Sequence, residues 1–210
     1  MTEFEQKGFD KMPSSTILAP GEAHLACVLL LDTSGAMAGE PIDSLNKAIN
    51  DFKKQISKDE LARKCFDIAI VEFNSSVRIV QDFVPISQMQ PVMLFAQGLA
   101  FMGAGINFAI DKVKERNRFY ASMGTPYYLP RIFMFTNGAP NDDVSSAKQR
   151  IIEEESKGSH GHLEFWAVGV PGYDKDTLNS LTKRCIVLDE MDFSGVFNLL
   201  SESLCKSFSE

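Results

Sequence analysis

Seven consecutive apolar residues, Leu25 to Leu31, run into Asp32 near the start of the chain. A strand with one wet face alternates apolar and polar residues. An unbroken apolar run of this length belongs instead to a strand covered on both faces, as in a mainly parallel sheet. The same signature returns in Cys65–Phe73 (CFDIAIVEF), Arg131–Thr136 (RIFMFT) and Leu163–Val170 (LEFWAVGV), with a short last run at Cys185–Leu188. Between these runs the apolar spacing turns helical. From Pro41 to Ile56 it falls on Ile42, Leu45, Ala48, Ile49, Phe52 and Ile56, and Pro41 suits a first helical turn. Further helices are expected over Ile106–Arg116, Asp142–Glu155 (capped by Asn141 or Asp142), Asp174–Thr182 and Phe193–Phe208. Asn74-Ser75-Ser76 reads as a tight turn that sends Val77–Val84 back as an antiparallel partner. The expected architecture is therefore α/β and Rossmann-like. It has a six-stranded, mainly parallel sheet with one antiparallel edge strand and helices on both faces.

Composition narrows the function classes. A chain of 210 residues is long enough for one domain with a sizeable core. Its net charge of -7 opposes a general electrostatic grip on nucleic acid or anionic lipid. The seven-residue apolar run is far short of the roughly 20 that a membrane span needs. Residues 1–22 are polar and rich in proline and serine, and read as a flexible N-terminal tail ahead of a domain at 23–210. The first twenty carry Glu3, Glu5 and Asp10 without an apolar stretch, so no secretory leader is expected and the expected location is cytoplasmic. Cys27, Cys65, Cys185 and Cys205 lie far apart and read as thiols rather than disulfides.

In a doubly wound sheet the binding crevice lies beyond the carboxyl ends of the strands, where strand order reverses. That rule brings Asp32–Glu40, Met102–Asn107 and Asn137–Asp143 to one rim. The first loop reads Asp32-Thr33-Ser34-Gly35-Ala36-Met37, then Gly39-Glu40-Pro41-Ile42. The third reads Phe135-Thr136-Asn137-Gly138-Ala139-Pro140-Asn141-Asp142-Asp143. Together these resemble the von Willebrand factor type A (vWA) family, and within it the tellurium-resistance, TerY-type branch. The resemblance covers roughly Leu25 to Cys205.

The resemblance implies a metal-ion-dependent adhesion site (MIDAS) on the rim. There a divalent ion is held by an Asp and two Ser of a D-x-S-x-S loop, a Thr from the second loop and an Asp from the third. Magnesium favours such oxygen ligands in octahedral geometry. Asp32 and Ser34 match the first carboxylate and first hydroxyl. Ala36 stands at the second Ser, Ala104 at the Thr, and Asn137 at the Asp. Changes even in outer-shell residues weaken metal sites about 10–100-fold, so three losses together cost on the order of a thousandfold. The residual metal set is Asp32, Ser34 and Asn137. No cofactor is expected beyond weak magnesium or manganese. The rim residues Asp32, Ser34, Ala36, Ala104, Asn137 and Asp142 are expected to face a protein partner. Without the ion, Asp32 would tie loops together and Ser34 would bond to backbone amides.

The function so implied is a non-enzymatic protein-interaction module of a stress-response system. Two alternatives stand beside it: a nucleotide-binding or hydrolytic α/β protein, and a structural subunit of an assembly. No G-x-G-x-x-G or G-x-x-x-x-G-K-[ST] loop follows the first strand, and no G-x-S-x-G elbow surrounds Ser34. His24, His160 and His162 have no carboxylate or Cys at ligand spacing and read as isolated. Acidic residues such as Asp142 and Asp143 suit a helix start. Tyr120, Tyr127 and Tyr128 fall in a segment that reads as an exposed loop.

Overall fold

The computed structural model describes residues 17–156, 163–188, 193 and 195–198. The elements are β1 (Leu25–Asp32), α1 (Glu40–Ile56), α2 (Glu60–Cys65), β2 (Phe66–Phe73), β3 (Val77–Pro85), α3 (Met102–Met123), β4 (Arg131–Thr136), α4 (Ser145–Glu155), β5 (Glu164–Gly169), α5 (Lys175–Leu181) and β6 (Cys185–Val187). They build one six-stranded sheet in the order β3-β2-β1-β4-β5-β6. β1 runs parallel to both β2 and β4, and β5 continues parallel between β4 and β6. Among the described residues only β3 is antiparallel, paired to β2 at the sheet edge through the Asn74–Ser76 turn. This is the expected architecture.

Both faces of the sheet are covered, which explains the unbroken run in β1. Cys27, Leu29 and Leu31 point to the side of α1, where Leu45, Ile49 and Phe52 pack with Phe193 and Phe197. Ala26, Val28 and Leu30 point the other way, to Ile106, Ile110 and Val113 of α3 and to Ile151 of α4. Fully burying a side chain of this class contributes roughly 1.5–3 kcal/mol, so neither face can be left bare.

Several local expectations are corrected. α3 is twice the expected length, starting at Met102 rather than Ile106 and ending at Met123 with Gly124 in the left-handed region (φ 68°). Gly103 and Gly105 read as loop residues, yet both lie inside the helix. At Gly103 a Cβ would sit 2.5 Å from the Asp143 carbonyl oxygen, so the helix start can press on the third loop only with glycine there. A short helix, α2, was not expected. Asp59 caps it by accepting from the Ala62 amide (2.7 Å). α4 starts at Ser145, after the expected caps Asn141 and Asp142. The tyrosine segment is not a loop throughout: Tyr120 lies in α3 and is fully buried, while Tyr127 is exposed.

His24 is not isolated either. Its Nδ1 lies 3.2 Å from Oδ2 of Asp67, which also accepts from Arg116 Nη2 (2.8 Å) and from the Tyr120 hydroxyl. These four buried groups join the amino ends of β1 and β2 to α3. Burial, with the Asp67 charge beside it, pushes the Tyr120 phenol well above its usual range. Arg116 also lies over the Phe83, Phe119 and Tyr120 rings.

Cys27 and Cys65 are buried free thiols, and Cys185 is a half-buried one. Residues 1–16 of the N-terminal tail, His160, His162, Cys205 and most of the Phe193–Phe208 helix lie outside the described residues; 195–198 are helical. Among the described residues no helix is long and apolar enough to cross a membrane.

Candidate functional site

From β1 the chain winds outward through β2 to β3, then returns to place β4 on β1's other side. The direction of winding reverses between β1 and β4, and the residues closing these strands are Asp32 and Thr136. Their side chains meet there.

Asp32 is fully buried. One carboxylate oxygen accepts from the Ser34 amide (2.8 Å) and the other from the Thr136 hydroxyl (2.7 Å). Thr136 Oγ1 in turn accepts from the Gly138 amide (3.0 Å). Hydrogen bonds to an ionised carboxylate are shorter and stronger than neutral ones. Asp32 therefore draws the first and third loops together from strands that are neighbours in space and distant in sequence. Ser34 lies beside it with its hydroxyl buried and without a hydrogen-bond partner among the described residues.

A segment that the sequence did not single out crosses this rim. After β3 and the 3-10 turn Ile86–Gln88, residues 92–101 lead to the start of α3 as a strap without strand or helix. The Gln97 amide donates to the Thr33 carbonyl (2.8 Å), and the Gly98 carbonyl accepts from the Gly35 amide (2.9 Å). Ser75 Oγ accepts from the Leu99 amide (2.9 Å). Gly98 has φ 73°, and a Cβ there would collide with Ser75 Oγ at 2.5 Å, so this crossing needs glycine. Two asparagines of α1, one turn apart, hold the other half of the strap. Asn46 accepts from the Leu94 amide (2.7 Å) and donates to its carbonyl (3.0 Å); Asn50 does the same with Val92 (3.1 and 2.9 Å). Each carboxamide satisfies a backbone donor and acceptor, as a neighbouring strand would.

The third loop is stitched to the strap's end. Asn141 exchanges two hydrogen bonds with Ala100, amide to carbonyl and amide to side chain, both at 2.8 Å. The two oxygens of Asp142 accept from the amides of Gly103 (3.0 Å) and Ala104 (2.9 Å). These are free amides of the first turn of α3, whose positive end favours a carboxylate. Asp142 is thus a helix-terminus ligand, but for α3 rather than for the helix that follows it in sequence. Asp143 accepts from the Ser145 amide (2.9 Å), and hydrogen bonding from the Ser145 side chain and then its amide holds the carboxyl below the usual range.

The other expected site residues fall as follows. Ala36 is exposed in the short 3-10 turn Gly35–Met37. Asn137 is half-buried; its side-chain oxygen accepts from the Ala139 amide (3.2 Å) and its carbonyl from the Asp174 amide (2.8 Å). Ala104 is exposed in the first turn of α3. Asp32, Ser34 and the Thr136–Asn137 loop therefore form one group, and Ala104 with Asp142 a second. Asn141 and the strap connect them. Among the described residues, no hydrogen bond joins Ala104 to Asp32 or Ser34, and no group of three or more His, Cys, Asp and Glu side chains is placed to hold a metal ion.

Thr136, Asn46 and Asn50 carry no sequence expectation, and Asn141, expected as a helix cap, ties the third loop to Ala100 instead. Thr136 stands within the third-loop motif, where the resemblance gives it no role. The asparagine pair has a faint signal, two amides at i,i+4 bordering the apolar stripe Ile42, Leu45, Ile49 and Phe52.

The fold agrees with known structures. Proximal thread matrix protein 1 from the mussel byssus matches over 88% of this chain at 15% identity, with a TM-score of 0.61. It has also been solved with a zinc-occupied MIDAS motif. The pilus adhesin SpaC from Lactobacillus rhamnosus GG matches over 89% of this chain at 12% identity, with a TM-score of 0.70. BatB from Bacteroides thetaiotaomicron matches over 89% of this chain and 100% of its own, at 13% identity and a TM-score of 0.58. At such identities the likeness is one of fold. The chain spans 49% of the mussel protein and 30% of the adhesin. No curated protein matches the sequence. The family model of the von Willebrand factor type A domain matches residues 27–199, and the chain belongs to that family.

Proposed function

We propose that this chain is a non-enzymatic protein-interaction module whose rim works without a metal ion. The vWA domain is typically an interaction or adhesion module. What carries the metal-free reading is the state of Asp32. Both of its oxygens are engaged, by the Ser34 amide and the Thr136 hydroxyl, so the carboxylate ties two loops together. Asp32, each of whose oxygens already accepts one hydrogen bond, and the unpartnered Ser34 hydroxyl are the first-loop oxygens left to an ion. Ala36 adds no donor, Asn137 spends its side-chain oxygen on the Ala139 amide, and Ala104 offers only an amide already given to Asp142. Such a set does not fit magnesium, which demands near-octahedral oxygen coordination. The adhesion site is on this reading degenerate.

The biological setting of the proposal is a tellurium-resistance, TerY-type stress-response association in the cytoplasm. Its support is the pair of loop motifs, Asp32-Thr33-Ser34-Gly35 with Gly39-Glu40-Pro41-Ile42, and Thr136-Asn137-Gly138 with Asn141-Asp142-Asp143. The test is capture of the partner by the purified chain with magnesium and with excess chelator, followed by rim substitution. Capture that survives chelator and falls on rim substitution supports the reading. Capture abolished by chelator overturns it.

A further inference from the structure

We infer that the strap over the rim is where the partner docks, and that the docking segment is a basic one bearing apolar side chains. This rests on the rim being the binding face. The strap exposes Met93, Phe95 and Leu99 at 68%, 73% and 51% of their surface. The three fall within seven residues of one segment, and exposed apolar surface that is grouped rather than scattered marks interaction sites. The backbone explains why they point outward. Asn46 and Asn50 clamp Leu94 and Val92, whose side chains are buried, so in an extended segment the alternate residues Met93 and Phe95 must face solvent. The clamp also holds the segment in shape before any partner arrives, which lowers the ordering cost of binding.

Charge selects the occupant. Glu40 and Asp43 at the start of α1, and Asp142 and Asp143 beside the strap's end, carry no ion pair among the described residues. Elsewhere some carboxylates are paired, Glu60 with Lys64, Asp82 with Lys112, Asp111 with Arg150 and Glu155 with Arg184, while Asp59, Glu153, Asp174 and Asp176 have no ion pair among the described residues. The rim thus combines exposed apolar side chains with the acidic Glu40, Asp43 and Asp143, which carry no ion pair among the described residues, and with Asp142, which is already turned to the α3 amides. A segment alternating Lys or Arg with apolar side chains complements both. A second copy of this acidic chain would bring like charges together.

The test uses the full chain and three labelled hexapeptides, alternating leucine with lysine, leucine with glutamate, and serine with lysine. Fluorescence polarisation in the presence of chelator gives affinity, and amide chemical shifts give location. The leucine/lysine peptide should bind best and move the amides of Met93 to Leu99, with each of the others weaker by about tenfold or more. Phe95→Ser and, separately, Asp43→Lys should each weaken it about tenfold, and added salt should weaken it further. Both positions are exposed, and unchanged melting of the variants confirms that folding is intact. Equal binding of the glutamate peptide, shifts confined to other surfaces, or no binding by the leucine/lysine peptide would overturn the inference. So would self-association of the chain that Phe95→Ser abolishes, since the occupant would then be a second copy. A partner that binds through the Asp32 loop and ignores Phe95→Ser would overturn this inference and leave the metal-free reading standing. Loss of a captured partner in chelator would remove the latter.

Discussion

The Thr136 hydroxyl donates to the Asp32 carboxylate across 2.7 Å, although 104 positions separate the two residues. The bond bridges the carboxyl ends of β1 and β4, where the winding of the sheet reverses. Since Asp32 is buried, removing the hydroxyl leaves part of a charged group without a donor. Thr136→Val should destabilise the fold by roughly 1.5–3 kcal/mol, and Thr136→Ser by much less. Urea denaturation of both, in a double-mutant cycle with Asp32→Asn, checks this. Strictly additive effects would mean that the two side chains do not interact.

The strap's shape depends on the two asparagine clamps. Asn46 is buried, so its loss orphans a buried backbone donor and acceptor, whereas water reaches the half-buried Asn50. Asn46→Ala should cost roughly 1–3 kcal/mol and Asn50→Ala less. Hydrogen exchange gives the sharper readout. The Leu94 amide should exchange faster in Asn46→Ala, and the Val92 amide in Asn50→Ala. Unchanged protection at both would contradict the clamp.

Cys27 sets an alkaline limit. Burial pushes its thiol up from 9.0 to about 12, with Arg131 opposing weakly. The folded value is raised above the unfolded one. The contribution to stability is therefore complete below pH 9 and is lost as pH rises through about 12. Denaturation midpoints between pH 8 and 11 should fall less steeply in Cys27→Ala than in the wild type, whatever the variant's cost at neutral pH. Identical slopes would place the thiol in contact with water.

The wild-type chain should bind magnesium and manganese negligibly at millimolar concentration in calorimetry. The triple change Ala36→Ser, Ala104→Thr and Asn137→Asp should restore binding if the backbone keeps the family's geometry. The position most at stake is Ala104, because its amide is pinned by Asp142 in the first turn of α3. Silence from the triple variant would mean that this turn has moved away from the Asp32 loop. Tight binding by the wild type would mean that water or other oxygens replace the missing ligands.

Much of the architecture could be read from the chain alone. The unbroken run Leu25–Leu31, its later counterparts and the helical spacing from Ile42 to Ile56 determine a parallel sheet covered on both faces. Burial pattern and strand period are local properties, and each strand carries its own. The rim motifs were legible for the same reason, since Asp32 to Ser34 and Thr136 to Gly138 are short turns at strand ends. Their family was legible too, and residues 27–199 match it.

What the tertiary structure decided is which groups answer each other. Gly103 and Gly105 carry low helical propensity, which spoke for a loop; Asp142, 39 residues away, supplies the acceptors that let α3 begin there. His24 had no partner within reach along the chain, and found Asp67 on the adjacent strand β2. The strap 92–101 has no periodic signature, because its order comes from Asn46, Asn50, Thr33, Ser75 and Asn141 rather than from its own residues. Periodicity records which face of a segment is buried. It carries no record of where a lone donor finds its acceptor, because that pairing exists only once distant segments have been packed together.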